Sequence, residues 1–445
     1  MAASALDLIT DLVAAARKAG ADAADVVFFR SAHLGLRQRL GKPEMLERSE
    51  SQDIGLRVIV GRRQASVSSS DTTAKTLDEV VARAVAMARA APDDPYCGLA
   101  EPEMLARTFP DLDLVDTVEP SPDALEARAK ETEEAALAVA GVTNSEGAEA
   151  TWSRTDVALA ASNGFRAAYA RSGHGISVSV VAGEGAGMQT DYDFASAIHG
   201  SDLEAPAEVG RRAGERAVHR LNPQKAETAR VPVIFDPRVS GSLVGHLAGA
   251  ISGTAVARGS SFLKDRMGQP VLAPGLSVID DALRPRGLRS RPFDGEGIAA
   301  RSLALVEDGV LQTWLLDLAS ARQLGLPPTG HASRGTGGPP GPSATNLYLA
   351  AGAVSPEELI SDIKSGFYVT SLMGHGINMV TGDYSRGASG FWIEDGRTTY
   401  AVSEMSIAGN LKDMFMAMTP ASDLVFRNSV NAPTVRIEGM TVAGR

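Results

Sequence analysis

The chain has 445 residues, 44% hydrophobic and 22% charged, enough for two or three globular domains or one large intertwined one. Its formal net charge of −11, with no compensating basic block, argues against a nucleic-acid backbone as the main partner. A single cysteine, Cys97, excludes an intrachain disulfide and fits a reducing compartment.

The opening Ala2-Ala-Ser-Ala-Leu-Asp7 has no basic segment and meets an acid at once, so it does not read as a secretory signal. A cytoplasmic location is expected. Leu6, Ile9, Leu12, Val13 and Ala16 follow helical spacing, with Ser4 as the cap and Gly20 as the stop. Strand-like runs follow at Asp25–Phe29, Asp53–Val60 and Gln64–Val67. Thr76-x-x-Glu79 predicts a capping box for an alanine-rich helix that stops before Pro92. The proline- and acid-rich stretch from Pro92 to Pro122 reads as a surface linker, and Ser121-Pro122 starts the next helix. Asp156–Ala161 and Phe165–Ala170 alternate around Asn163-Gly164, a strong hairpin signal, and Pro206–Leu221 is helical. Helix, strand, hairpin and helix thus occur twice before residue 225, which predicts a duplicated or interleaved sheet rather than a doubly wound one.

From Val231 onward the composition shifts. Glu307-Asp-Gly309 and Glu394-Asp-Gly396 predict two β-hairpins, Ser355-Pro-x-Glu358 caps a short helix, and another runs from Asn410 to Met418. The section boundaries fall at 1–110, 111–225 and 226–445. The predicted fold class is α+β: intertwined N-terminal and central α/β sections with a β-rich C-terminal section, barrel-like overall.

The stretch Val239–Ala257 holds nineteen residues without a charge, with glycine at every fourth position: Gly241, Gly245, Gly249 and Gly253. Asp236-Pro237 opens it as a helix. Four helical glycines cost about 3–4 kcal/mol relative to alanine, a loss tolerable where a bare backbone face lets another element or a bound chain approach. Leu243, Val244, Leu247 and Ile251 supply the core-facing stripe, and His246 sits at its border. Four serine and threonine residues and the histidine interrupt the run, so it is not read as a membrane span.

The seven histidines include no pair three to five residues apart, so no helical zinc face can be drawn. No nucleophile elbow or phosphate-binding loop occurs, and Cys97 has no histidine nearby. His246, His331 and His375 could converge as a three-histidine zinc site, although each alone suits a structural or surface role. The arginines from Arg284 to Arg301 read as a solvated or subunit-facing patch rather than a phosphate site. Thr381–Gly396 is more distinctive: Gly382, Gly387 and Gly390 leave backbone accessible beside Asp383, Tyr384, Ser385 and Arg386. Such a loop suits a groove that pairs with a peptide main chain, or else a tight turn closed by an Asp383–Arg386 ion pair.

Four motifs carry a family resemblance: Asp236-Pro-x-Val-x-Gly-Ser-Leu-x-Gly-His246, Ser343-x-Thr345-Asn346-Leu347, Thr381-Gly-Asp-Tyr-Ser-Arg-Gly-Ala-Ser-Gly-Phe-Trp392 and Ile407-Ala-Gly-Asn-Leu-Lys-Asp-Met414. Together they resemble the PmbA/TldE branch of the TldD/PmbA family over essentially the full length. The resemblance implies an intertwined α+β body and a dimer, typically one TldD-type and one PmbA-type subunit acting as a cytosolic metallopeptidase on unfolded or modified peptides. TldD-type subunits carry His-Glu-x-x-x-His on the helix corresponding to the glycine-rich one. Here the chain reads Gly245-His246-Leu247-Ala248-Gly249-Ala250, one imidazole where a catalytic zinc uses three protein ligands.

The expectation is therefore a subunit with no metal of its own, paired with a zinc-bearing TldD-type partner or with itself. It would help to line a peptide chamber through His246, Gly245, Gly249, His331, Asp383, Tyr384, Ser385 and Arg386, with no nucleic-acid or membrane partner. Two rivals remain: a homodimeric peptide-binding escort without hydrolysis, and a self-sufficient metallopeptidase using the scattered histidines.

Overall fold

The computed structural model describes residues 2–444. Its first half is one sheet built from two copies of the same element order. Helix α1 (Ala2–Lys18) leads into β1 (Ala23–Arg39), β2 (Lys42–Val60) and β3 (Arg63–Ser69), and α2 (Ala74–Ala90) closes the unit. After the linker, α3 (Pro122–Leu137), β4 (Val142–Ala161), β5 (Arg166–Ala182), β6 (Gln189–Ala197) and α4 (Pro206–His219) repeat it. All neighbours are antiparallel and the spatial order is β3-β2-β1-β4-β5-β6, so the two units meet at the β1–β4 pair. The duplicated sheet predicted from sequence is what forms.

Both faces of this sheet are covered. Side chains alternate along a strand, so Val26 and Phe28 of β1 face α1 and α2, while Leu34 and Leu36 continue the same face under α3 and α4. The opposite face, with Val27, Val157, Leu159 and Ala167, packs on Phe293 of the C-terminal section. Double coverage explains the unbroken Val26-Val-Phe-Phe29 run.

Several boundaries differ from the sequence reading. Helix α1 begins at Ala2, so Ser4 lies inside it rather than at its cap. Helix α2 is capped at Thr73 without a side-chain bond, and Thr76 sits within the helix. The Ser121 cap is as predicted, accepting from Ala124 N, and Ser355 with Glu358 forms a complete capping box. The linker does more than cross the surface: Ala100 and Leu105 pack against Ile298 and Leu318, strapping the two halves together.

In the C-terminal section, β7 (Ala229–Phe235) pairs parallel with Ser365–Ile377, which leads round antiparallel through Asp383–Glu394 and Arg397–Asn410. Val435–Ala443 pairs with both Arg397–Asn410 and β7 and closes a five-stranded barrel. A second, open sheet runs through Val310–Leu311, Ser302–Glu307, Val278–Asp281, Leu347–Leu349 and Val430–Asn431. Both Asp-Gly hairpins form as predicted; Asp308 and Gly309, like Asp395 and Gly396, have positive φ at both turn positions, which the twist of a two-residue hairpin requires. Among the described residues no helix is long and apolar enough to cross a membrane.

Candidate functional site

Helix α5 (Pro237–Ala250) leaves β7 directly, and the Asp236 carboxylate accepts from Arg238 N at 2.9 Å, the predicted cap. Leu243, Val244, Leu247 and Ile251 are buried in a core shared by the barrel (Phe235, Phe367, Val369) and the open sheet (Leu347, Leu349). The helix is shorter than the uncharged run: it ends at Ala250, and Gly253–Ala257 forms a separate turn of helix.

The glycine face is only partly used within the chain. A Cβ at Gly241 would stand 3.1 Å from the Val430 carbonyl oxygen, and one at Gly253 would strike Ser320 and Leu316. Gly245 has nothing within 4 Å, and Gly249 meets only the flexible end of Met379. The bare backbone at Gly245 is therefore left uncovered, beside His246.

His246 faces the barrel strand Asp383–Glu394. Its ring lies 6.0 Å from that of Tyr384, edge to face. The His246 Nε2, the Tyr384 hydroxyl and the Arg386 Nε are each buried without a hydrogen-bond partner. Burial holds the His246 pKa below its usual value, and the nearby Arg386 cation adds to the effect. Burial likewise pushes the Tyr384 phenol up to about 12, although Arg386 pulls in the opposite direction. The site is thus a neutral imidazole, a protonated phenol and a guanidinium around three unsatisfied polar atoms.

The rest of the predicted set divides. Thr381–Gly390 is not a loop: from Asp383 it is strand, so Asp383 and Ser385 project to the face opposite Tyr384 and Arg386. Asp383 bonds Thr381 Oγ1 at 2.6 Å and Asn410 Nδ2 at 3.1 Å, and no Asp383–Arg386 ion pair forms. Both edges of this strand are paired, Tyr384 opposite Ile377 and Gly409, so no peptide can add to it by main-chain pairing. That part of the groove expectation is corrected.

His331 is fully buried elsewhere, its Nδ1 2.9 Å from Thr329 Oγ1 and its Nε2 3.4 Å from Asp280 Oδ1. His375 is exposed at an irregularity between Met373 and Gly376. Among the described residues no three His, Cys, Asp or Glu side chains form a group able to hold a metal ion, so the three-histidine site is not assembled.

The family resemblance implies a metal, and the donor set at α5 does not fit one. His246 has Arg386 rather than a carboxylate as its charged neighbour. The next residue and the one five along, where a glutamate and a second histidine would stand, are Leu247 and Ile251, 1% and 0% exposed in the core. At Cys97 burial raises the thiol pKa, and Asp94 adds to the rise, which disfavours the thiolate that a ligand or nucleophile requires.

The arginine run is not one patch. Arg286 pairs with Asp113 and Asp202, and Arg284 lies over the Phe426 ring at 3.5 Å. Arg289 and Arg291 turn instead toward the sheet of the first half. Sequence reasoning also missed Asp25, clamped between Arg57 and Arg334, and the neighbouring buried acids Asp294 and Glu296. These groups come from distant segments, and no local pattern marks them.

A duplicated antiparallel sheet joined to a five-stranded barrel with a glycine-faced helix defines a TldE-type architecture. TldE from Thermococcus kodakarensis shares the fold with a TM-score of 0.86 at 22% identity, covering 98% of this chain and 100% of that one. The chain belongs to the PmbA/TldD family: residues 24–88, 116–221 and 228–444 match domain 1, the central domain and the C-terminal domain of the PmbA/TldA metallopeptidases. It is similar to metalloprotease PmbA of Escherichia coli O157:H7, 37% identical over 95% of this chain and 93% of that one. It is also similar to the metalloprotease PmbA homologue of Haemophilus influenzae, 35% identical over 96% and 94%.

Proposed function

We propose that this chain is the subunit without a catalytic metal in a two-subunit metallopeptidase, and that hydrolysis of unfolded or modified peptides occurs at zinc held by a TldD-type partner. The observation that carries this reading is the composition around His246: one neutral imidazole, no carboxylate and a neighbouring guanidinium. A dication there would lose to Arg386 the attraction that a catalytic zinc draws from anionic and imidazole donors. The relatives named metalloproteases support hydrolysis as the activity of the family. The uncovered glycine face at Gly245 and the orphaned polar atoms of His246, Tyr384 and Arg386 are this chain's contribution to the peptide chamber. The buried His331 and the outward Asp383 and Ser385 stand apart from that cluster.

The test compares peptidase activity and bound metal for the purified chain, a TldD-type partner and their mixture. Activity restricted to the metal-loaded partner or the mixture supports the proposal. Full hydrolysis by this chain alone, with one metal per chain, overturns it. A chain that binds peptides but never associates with such a partner supports the escort reading instead.

A further inference from the structure

Two of the arginines that the sequence left as a surface patch, Arg289 and Arg291, line a pocket that is open to solvent on one side. A cavity of about 350 Å³ lies between the first-half sheet and the C-terminal section, within the size range of small-molecule sites. Arg171 of β5 reaches it from the sheet, and Arg289 and Arg291 from the opposite wall. None of these three guanidinium groups makes a hydrogen bond or ion pair within the described residues, and Arg291 Nε and Nη2 are buried without any partner. Arg334 also borders the space but is already held by Asp25 and the Gly55 carbonyl.

Asp294 is the acid in the wall, and its oxygens are already occupied. Oδ1 accepts from the amides of Glu296 and Ile298, and Oδ2 from that of Ala332. Burial also raises the Asp294 pKa, against the opposing effects of the nearby Arg291 and the three amide donors. The cavity therefore holds more guanidinium groups than its one acid can pair, and the buried Nε and Nη2 of Arg291 are donors that a bound anion would satisfy. The remaining wall is mixed: Val157, Leu159, Tyr169 and Phe293 form an apolar part, with the Tyr169 and Phe293 rings edge to face at 5.3 Å, and Ser31, Thr155, Ser333 and Thr345 add hydroxyl groups around it. Arg289 is exposed, so the cavity meets solvent on its side.

We propose that this cavity is a binding site for a small organic anion, an oxyanion (carboxylate or phosphate) carried on an apolar, ring-sized body. The guanidinium groups of Arg291 and Arg171 take the oxyanion through charge-assisted hydrogen bonds, and the Tyr169–Phe293 wall takes the body. The site stands apart from the His246 cluster and does not depend on the metallopeptidase assignment.

The experiment is titration calorimetry on the full-length chain in low-chloride buffer with four probes: N-benzoylglycine, phenyl phosphate, inorganic phosphate and the neutral N-benzoylglycinamide. Binding of N-benzoylglycine with the amide at least about tenfold weaker identifies a carboxylate, such as a peptide C-terminus, as the ligand class. A preference for phenyl phosphate over inorganic phosphate identifies a phosphorylated small molecule. Arg291→Gln should weaken the preferred anion about tenfold or more while leaving the unliganded protein as heat-stable or more so, because it removes a half-buried cation whose Nε and Nη2 have no partner in the fold. No saturable binding of any probe at millimolar concentration overturns the proposal. So does an Arg291→Gln variant that melts lower but binds with unchanged affinity, since that makes the arginine structural only. Tyr169→Ala offers a second check, with affinity for the aromatic anion falling and that for inorganic phosphate unmoved.

Discussion

His246 on α5 and Tyr384 on the barrel strand meet edge to face, ring centroids 6.0 Å apart, each presenting a buried polar atom that the fold leaves unbonded. An unsatisfied buried hydroxyl costs about 1–3 kcal/mol, and under the proposed function a bound peptide would offset that cost. Tyr384→Phe should leave the isolated chain as stable or up to about 1 kcal/mol more stable in urea unfolding, while peptide hydrolysis by the mixed subunits falls. A loss of more than about 1 kcal/mol would show that the hydroxyl is bonded within the fold.

The same pair sets a pH response. Burial and Arg386 hold the His246 pKa below its ordinary value of about 6.5. As pH falls below about 6.5, the unfolded chain takes a proton that the folded site resists, so this group removes stability progressively toward the folded pKa. Nitrogen NMR should find the His246 ring taking up its proton only below the ordinary imidazole value of about 6.5. A His246 signal titrating at or above that ordinary value would refute the desolvated site.

The glycine helix separates two kinds of substitution. Gly245→Ala adds a methyl group where nothing lies within 4 Å, so helix propensity should stabilise the chain by about 1 kcal/mol. Gly210 in α4 is the contrast: a Cβ there would overlap the Thr132 carbonyl oxygen of α3, and Gly210→Ala should cost about 3 kcal/mol or more. Denaturant midpoints decide both. If Gly245→Ala gains stability yet slows the mixed enzyme, the open face is used by a bound chain.

How much of this was readable follows from the range of the forces involved. The caps at Ser121, Asp236 and Ser355 and the two Asp-Gly turns are local chemistry, and they form where the sequence places them, whereas the helix expected over Asn410–Met418 runs only from Leu411 to Met416 with Asn410 as its cap. The distal half of the first hairpin was not readable, because Lys42–Gln52 is exposed on both faces and is held as strand by backbone pairing with β1. Treating residues 381–390 as a loop grouped Asp383 and Ser385 with Tyr384 and Arg386; the two-residue period of a strand separates them. The cavity arginines come from β5 and from residues more than a hundred positions away, so only the assembled fold shows that they share a space.

Asp25 fastens the two halves together. Arg57 of β2 donates to its Oδ2 from Nε at 2.9 Å, and Arg334 of the C-terminal section donates to Oδ1. Burial opposes ionisation, but the two guanidinium groups outweigh it and the pKa ends below the usual range. Asp25→Asn keeps the shape but leaves two buried cations poorly compensated, and should cost about 3–5 kcal/mol. Thermal unfolding checks this. A change under about 1 kcal/mol would mean that the charge is not needed to hold the junction.

Glu296 gives that junction a pH dependence of the opposite sense to His246. Burial, with Asp294 close by, pushes its carboxyl up to about 8, and the two acids titrate as a coupled pair. Between the unfolded value near 4.5 and the folded value near 8, the native state holds a proton that the unfolded chain has lost. Stability should therefore fall as pH rises through that window, by at most about 1.4 kcal/mol per pH unit from this group. Glu296→Gln keeps a neutral group beside the Leu318 amide and removes the slope. Its stability relative to the unmodified chain should be near zero or negative at pH 5 and rise steadily by pH 8, read from urea unfolding across the range. A difference that stays constant with pH would show that Glu296 is ionised in the fold and that the junction accommodates its charge.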